Sequence, residues 1–277
     1  MTIANLDDLI AGYQPRIIYQ KVNQTGEASG QDHALLNAGG IPAATGAPAP
    51  GINGAQVTSA TTGFPPYTNA GAGLQKYLAA VKGKVQANIV AVDLWDILWW
   101  NSGLTVTTTT AQSITPVAIP SRDDNGSTNG EGVRAFMYVS TATTNGSAIT
   151  NTTMSYTNQS GNSGNTGTIS SFPATAVAGT FVPFRLDAGD TGVRSVQSVT
   201  LGTSYGGGVI HLVLARHIAT VAPLIGIGPS AVREDFTTIG MPKLYDSSAI
   251  GLSVVANSTT IGGNGVSVDL QLIYAEG

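Results

Sequence analysis

The sequence lacks cysteine altogether, and only 10% of its 277 residues are charged, against about 25% in a typical soluble protein. The absence of cysteine excludes disulfides, thiolate zinc sites and thiol nucleophiles. Because Lys and Arg together number only 12, the chain has few cations to neutralise phosphates, and we expect no nucleic-acid partner. The scarcity of Glu, Lys and Arg also argues against a coiled coil or a helical bundle.

The sequence also shows no secretory signal and no apolar segment long enough to span a membrane. Residues 1–8 are acidic and interrupted by polar residues, unlike the basic and then apolar start of a secretory signal. The longest apolar run, residues 212–228, is broken by Arg216, His217 and Pro223 and is too short to cross a bilayer. We therefore expect synthesis in a cytoplasm and no membrane partner.

Apolar and small residues dominate what is present. Hydrophobic residues make up 42% of the chain, glycine alone accounts for 35 positions, and the formal net charge is −4. The mean hydropathy of +0.14 is too high for a disordered chain, which is usually polar and strongly charged. The composition therefore predicts a folded protein.

Residues 1–83 are predicted to form an N-terminal region with a short helix and an extended arm, available for assembly contacts. The helix has Thr2 or Asn5 as its N-cap and ends at Gly12 and Pro15, before an extended segment over residues 16–22. The residues on its apolar face are Ile3, Leu6, Leu9 and Ile10. Residues 37–73 are so rich in Pro, Gly and Ala that no regular element is expected. They form either a flexible linker or an arm that becomes ordered only against a partner.

Regular secondary structure is predicted again after residue 73. A second short helix is predicted over residues 74–83, ending at Gly83. From residue 84 to residue 277, β-branched and apolar runs predict strands. These strands are 85–97, 104–110, 133–141, 149–157, 180–186, 193–201, 209–218, 250–256 and 266–274.

Asn-Gly dipeptides, which favour type I′ hairpin turns, punctuate the strands. They begin at Asn53, Asn125, Asn129, Asn145 and Asn264. Long helices between the strands are missing from the pattern, so a doubly wound fold is not expected. The predicted fold is mainly β: an antiparallel β-sandwich, jelly-roll-like, or else a barrel.

No set of residues predicts a catalytic, cofactor or metal site. His211 and His217 share one strand face but lie about 20 Å apart, which is too far for one metal ion. The acidic pairs are read as structural, because pairing in sequence does not place two carboxylates across a cleft. These pairs are Asp93/Asp96, Asp123/Asp124, Asp187/Asp190 and Glu234/Asp235. We therefore expect no enzyme activity and no cofactor.

Two loops have part of the sequence pattern of a ligand-binding site, but each lacks a feature that such a site requires. Residues 226–231 have the spacing of a dinucleotide-binding turn, but Pro229 removes a needed N–H group. Residues 123–131 are rich in oxygen ligands but lack the spacing of an EF-hand. A loop stabilised by Asx hydrogen bonds is the favoured interpretation there, and a Ca²⁺ site is the alternative.

All three tryptophans fall within residues 94–100. Core packing is the favoured interpretation of this cluster. An interface anchor and a platform for sugars are the alternatives.

Four stretches together carry a family resemblance, which extends over residues 85–275. They are LWWNSGL at 98–104, IPSRDDNGSTNGEGV at 119–133, MSYTNQSGNSG at 154–164 and FVPFRLDAGDTGVRSV at 181–196. In style and short motifs these stretches resemble the virion structural proteins of tailed bacteriophages. The resemblance implies a β-rich virion component, either a capsid decoration (cement) protein or a neighbouring head, neck or tail part. It carries over no functional residues.

The expected function is therefore structural. We expect a capsid decoration protein that binds and stabilises the major capsid protein shell, contacts copies of itself, and resides on the phage particle. A neck or tail protein and a carbohydrate-binding (receptor-binding) module are the alternatives. The residues expected at the interface are Ile3, Leu6, Leu9, Ile17, Ile18, Tyr19, Phe64, Tyr67, Trp99 and Trp100.

Overall fold

The computed structural model describes residues 3–13, 16–22, 29–86, 88–223, 230–257 and 266–277. In chain order its elements are α1 (Leu6–Ala11), β1 (Ile17–Val22), β2 (Asp32–Ala34), β3 (Gly40–Ile41), β4 (Ala55–Gln56), β5 (Lys76–Val85), β6 (Ile89–Trp100), β7 (Gln112–Ser113), β8 (Val133–Thr141), β9 (Ile149–Asn158), β10 (Asn165–Phe172), β11 (Phe181–Pro183), β12 (Val193–Thr200), β13 (Val209–Val221), β14 (Ser230–Asp235), α2 (Phe236–Ile239), β15 (Lys243–Leu244), β16 (Ile250–Ala256) and β17 (Val266–Glu276). The ladders between these strands are antiparallel. The predicted mainly β, antiparallel class is confirmed.

The first sheet, sheet A, joins the two ends of the chain. Its strand order is β14-β5-β17-β1-β3, and β15 also pairs with β5. Along β17 the alternate side chains Val268, Leu270, Leu272 and Tyr274 are buried, as strand periodicity predicts. They pack in a core shared with the neighbouring sheet.

The central sheet, sheet B, curls until its two edges meet. Its order is β11-β8-β13-β6-β16-β2, with β4 paired to β6. At the edges, His33 of β2 bridges Thr180, and the Ala34 N–H donates to the Gly179 carbonyl at 2.8 Å. Sheet B therefore surrounds an aromatic interior, where the rings of Phe136 and Phe181 stack 3.9 Å apart.

The remaining sheet, sheet C, has the order β10-β9-β12-β7. Sheets A and C pack on the outer face of sheet B, in two separate apolar cores. The long strand β6 contributes side chains to both outer cores and to the interior of sheet B, because its side chains alternate between the two faces of the sheet. Leu94 packs against sheet A, Leu98 packs against sheet C, and Trp95 lies in the interior of sheet B. The packing is sandwich-like, as the sequence predicts.

The prediction of a helix over residues 74–83 is wrong. Residues 76–85 form β5, which pairs with β14 on one side and with β17 on the other. A Cβ atom at Gly83 would overlap the Asp269 carbonyl on β17, so the glycine permits a close strand contact rather than ending a helix. Pairing on both sides outweighs the modest helix propensity of the Leu and Ala residues here.

The predicted strand over 104–110 is also wrong. The backbone of Thr105 is bonded by a side chain instead of a ladder, because its N–H donates to Gln112 Oε1 at 2.7 Å. Gln112 Nε2 in turn donates to the Thr105 carbonyl at 3.1 Å. The predicted strand over 85–97 begins later than expected, since β5 ends at Val85 and β6 begins at Ile89.

The Asn-Gly turns differ from the predicted type. A type I′ turn needs positive φ at both central residues. Gly54, Gly126 and Gly130 have φ values of 72°, 71° and 87°, but the asparagines before them are not among the described non-glycine residues with positive φ. The dipeptide at Asn264 lies outside the described residues.

The N-terminal helix is confirmed as α1. Asn5 is its N-cap, because the Asn5 side chain accepts a hydrogen bond from the Asp8 N–H at 3.0 Å. Gly12 is the C-cap. Thr2 and Pro15 lie outside the described residues.

Residues 37–73 contain only the two-residue strands β3 and β4. Ala38, Val57 and Phe64 of this segment are buried against the same chain. The predicted boundary at residue 83 falls inside β5, and sheet A takes strands from both sides of it. A role of this segment in partner contacts stays a prediction.

Candidate functional site

Exposed apolar side chains concentrate at one corner of sheet A. Five of the eight large hydrophobic residues that the described part of the chain exposes lie on α1, β1, β3 or the turn after α1. They are Leu6 (56% exposed), Ile10 (57%), Tyr13 (42%), Ile18 (38%) and Ile41 (55%). We call these five residues the α1–β1 surface. A cluster of this kind marks an interaction site more often than scattered apolar residues do.

The helix α1 contributes two residues to this surface because it packs by its other side. Leu9 is buried against Ala79 and Ala275, on the face of sheet A that points away from the core. Leu6 and Ile10 are one turn apart and therefore share a helix face. That face is left in contact with solvent.

Strand periodicity puts the other residues on the same side of sheet A. The Tyr19 side chain is buried in the core, so its neighbour Ile18 points to the opposite face. Ile41 pairs with Gln20, which shares the face of Ile18. Tyr13 bridges Ala275 at the end of β17. The five residues thus follow the outer face of sheet A from the helix to its edge strand.

The residues predicted at the interface divide into two groups. Leu6 and Ile18 are exposed, and Ile3, Ile17 and Tyr67 are partly buried. The buried ones, which contact their own chain, are Leu9, Tyr19, Phe64, Trp99 and Trp100. The sequence pattern places all four apolar residues of the predicted helix on one face, whereas the structure turns Leu9 inward and leaves Leu6 and Ile10 outside.

Some members of the α1–β1 surface were not predicted. Tyr13 and Ile41 are isolated apolar residues beside Gly or Pro, so no periodicity marks them in the sequence. Ile10 is predicted on the apolar face of the helix together with Leu6, but the predicted interface does not include it.

The tryptophans are core residues. Trp95, Trp99 and Trp100 are 4%, 1% and 7% exposed. The interpretation of the cluster as core packing is confirmed. The alternative of a sugar-binding platform is wrong for these three rings.

A buried polar cluster lies on the outer face of sheet B, between the two apolar cores. Asp96 accepts hydrogen bonds from the Ser248 hydroxyl at 2.8 Å and the Ala249 N–H at 3.0 Å. Its carboxylate also lies 3.3 Å from Arg122 Nη2 and 3.6 Å from Arg216 Nη2. Two hydrogen bonds and two arginines therefore hold the carboxylate of Asp96, which suits a structural anchor.

Arg122 connects this cluster to three separate segments. Its guanidinium donates to the Val57 carbonyl at 2.6 Å, the Ile97 carbonyl at 2.9 Å and the Ser247 carbonyl. These bonds join the N-terminal segment, β6 and the loop before β16. The ring of Tyr245 covers the other arginine, with Arg216 Cζ 5.0 Å from the ring centre.

A cleft of about 480 Å³ opens beside this cluster. Its walls include the amides of Gln56 and Gln75, the carboxylate of Asp246, and the ring of Tyr245. Amide and carboxylate groups beside an aromatic ring are suited to hydrogen bonding and stacking with a polar ligand.

The loop over residues 123–131 is organised around one carboxylate. Asp123 accepts hydrogen bonds from the backbone N–H groups of Asn125, Ser127, Gly130 and Glu131, and from the Ser127 hydroxyl. Partial burial raises the pKa of Asp123, but these hydrogen bonds outweigh it and hold the pKa below its usual value. The interpretation as an Asx-stabilised loop is confirmed.

The two strand histidines have separate partners. His211 is buried, with Nε2 2.7 Å from the Ser140 hydroxyl and Nδ1 2.8 Å from the Asn101 carbonyl. Burial lowers the pKa of His211, partly offset by the Asn101 contact. His217 lies beside Asp93 instead. Within the described ranges, no three His, Asp or Glu side chains are grouped closely enough to hold a metal ion.

Comparison with known proteins gives no identification. No family model, curated protein or solved structure matches this chain. Among the described residues, neither helix has the length and hydropathy needed to cross a membrane. The glycine motif at 226–231 lies largely outside the described residues.

Proposed function

We propose that this chain is a structural protein of a tailed-bacteriophage particle, and specifically a capsid decoration protein that stabilises the major capsid shell. The α1–β1 surface is the observation that supports this proposal. Its five exposed apolar side chains offer an adhesive face, and β-sheets fixed by buried hydrogen bonds offer a rigid support for it. The four short stretches between residues 98 and 196 that resemble tailed-bacteriophage virion proteins support the same proposal.

The proposal assigns no catalytic role to the chain. The carboxylates with the most contacts, Asp96 and Asp123, are occupied in holding segments of the chain together. The protein acts by binding the shell and neighbouring copies of itself.

A co-sedimentation assay tests the proposal. Recombinant protein is mixed with undecorated shells, and the bound fraction is measured for the wild type and for the double variant Leu6→Ser/Ile10→Ser. Burying an apolar side chain contributes about 1.5–3 kcal/mol. Because both residues are already half covered, we expect the double variant to weaken binding by roughly 10- to 100-fold.

The matched control uses exposed apolar residues elsewhere. Val117 and Val209 are 45% and 38% exposed, and Val117→Ser/Val209→Ser leaves binding unchanged if the α1–β1 surface is the contact. Equal binding by wild type and the Leu6/Ile10 variant would reject this surface. Failure of the wild type to bind shells would reject capsid decoration, and detection of the protein in a neck or tail fraction would assign it there.

A carbohydrate-binding module is the second candidate, and the cleft beside Tyr245 is what favours it. A glycan array probed with the full chain tests it directly. Specific binding that is lost in Gln56→Ala but kept in Gln159→Ala supports this candidate. Absence of binding to every glycan rejects it.

A further inference from the structure

One end of the interior of sheet B carries ionisable side chains from several strands. Asp32 lies on the edge strand β2, Asp93 on β6 and His217 on β13. Asp93 pairs in register with Ser253 of β16 and Thr220 of β13. These groups are remote in sequence and are brought together by the pairing of neighbouring strands in sheet B.

Asp32 is held in a position that disfavours its charge. The Ser253 hydroxyl accepts a hydrogen bond from Trp95 Nε1 at 2.9 Å, which leaves its own proton for the Asp32 carboxyl group. The other carboxyl oxygen, Oδ1, is buried without a hydrogen-bond partner. Burial above all, and the nearby Asp93 to a lesser extent, raise the pKa of Asp32 to about 7. They outweigh the hydrogen bonds from Ser253 and from the His33 backbone, which favour the charged carboxylate.

The neighbouring groups set the local charge. Asp93 Oδ1 lies 3.5 Å from His217 Nε2 and accepts a hydrogen bond from the Thr220 hydroxyl. Arg134 on β8 also acts on Asp93 at longer range, and β16 contributes the uncharged Ser253. While Asp32 is protonated, only one of the two carboxyl groups, Asp93, is charged. When Asp32 loses its proton, both carboxylates are charged.

The strand that carries Asp32 is short and closes the sheet by backbone hydrogen bonds on both of its sides. β2 has three residues. Beyond its ladder with β16, the Ala34 N–H donates to Gly179 and the Leu35 N–H donates to Leu252, each at 2.8 Å. An energetic penalty on Asp32 therefore acts on the segment that joins the two edges of sheet B.

We propose that β2 is a pH-dependent latch, which closes sheet B while Asp32 is protonated and loosens when Asp32 is charged near the charged Asp93. Release hydrates the Asp32 carboxylate and separates it from Asp93. The latch is independent of the function proposed above, because it involves no residue of the α1–β1 surface.

Amide hydrogen exchange of Ala34 and Leu35 tests the latch in the full chain. With a pKa of about 7 in the closed state and an ordinary value of 3.8 when released, release becomes more favourable as the pH rises between these values. After correction for intrinsic exchange, we expect the opening constant to rise on the order of 50-fold from pH 5 to pH 7 and to level off above that. An opening constant that does not change with pH would overturn the proposal.

Variants assign the effect to this site. Asp32→Asn should exchange with no pH dependence, while Asp7→Asn on the exposed side of α1 should keep the wild-type dependence. If Asp32→Asn retains the wild-type slope, the latch is refuted. Asp93→Asn provides a second measurement, because it removes a charge that raises the pKa of Asp32. It should therefore reduce the rise in the opening constant between pH 5 and pH 7, and an unchanged rise would contradict the role of Asp93.

Discussion

Replacing Arg122 by methionine should destabilise the protein strongly, because this one side chain holds three segments together. The substitution keeps a long apolar side chain but leaves the carbonyls of Val57, Ile97 and Ser247 without their donor. It also leaves Asp96 with a single arginine partner, Arg216, at 3.6 Å.

The size of the effect follows from these contacts. Removing one partner of a buried ion pair costs about 3–5 kcal/mol, and the retained Arg216 places the ion-pair part near or below the lower limit. Each lost hydrogen bond to a carbonyl adds about 1 kcal/mol. We therefore expect Arg122→Met to lower the free energy of unfolding by about 4–6 kcal/mol.

Urea denaturation at pH 7 measures this change. The three tryptophans are buried, so their fluorescence reports global unfolding. Arg194→Met is the matched control, because Arg194 lies exposed on β12 and its replacement should change stability by less than about 0.5 kcal/mol.

A loss below about 1 kcal/mol for Arg122→Met would refute the reasoning. A double-mutant cycle with Asp96→Asn isolates the ion pair from the carbonyl bonds. The two substitutions should together cost less than the sum of their separate effects, by at least about 1 kcal/mol.

Three further predictions concern other parts of the chain. Gly54→Ala should destabilise the protein by about 2 kcal/mol or more, because the new Cβ would overlap the indole ring of Trp99 on β6. Gly46 is the control, because it has the same φ of 72° but open space around it. Gly46→Ala should therefore cost about 1 kcal/mol in the same urea assay. Burial raises the pKa values of Tyr19 and Tyr274 well above 10, so both phenols stabilise the fold below pH 10 and that stability is lost as the pH rises further; an alkaline absorbance titration should show them ionising only as the chain unfolds, and reversible ionisation in the folded state would contradict this. The pKa of Asp123 is lowered, so its contribution to stability is present above about pH 4 and lost on acidification; Asp123→Ala should flatten the acid limb of the stability profile and speed amide exchange in residues 125–131, and an unchanged profile would count against it.

Much of the strand layout could be predicted because it depends on local patterns. The predicted strands at 133–141 and 250–256 coincide with β8 and β16, since β-branched runs bounded by turn residues are a short-range signal. The helix α1 was predictable from the Asn5 cap and the glycine after it. The segment 76–85 was not, because helix and strand are close in intrinsic propensity there and pairing with two neighbouring strands decided the outcome.

The candidate sites depended more on tertiary structure. Asp93 and Asp96 are a pair in the sequence, yet they point to opposite faces of β6. One lies beside His217 and the other between two arginines. The partner of each carboxylate comes from more than 20 residues away, at a distance in sequence that no local pattern reaches.

The sequence alone determined that this is a β-rich, thiol-free protein of low charge, because composition and short-range periodicity express the preferences of individual residues. Only the tertiary structure decided that sheet B curls to join its own edges, that the tryptophans are enclosed, and that Leu6, Ile10, Tyr13, Ile18 and Ile41 remain exposed on one side. Burial is a property of which distant segments meet, and the free energy of those contacts is settled only when the whole chain is packed.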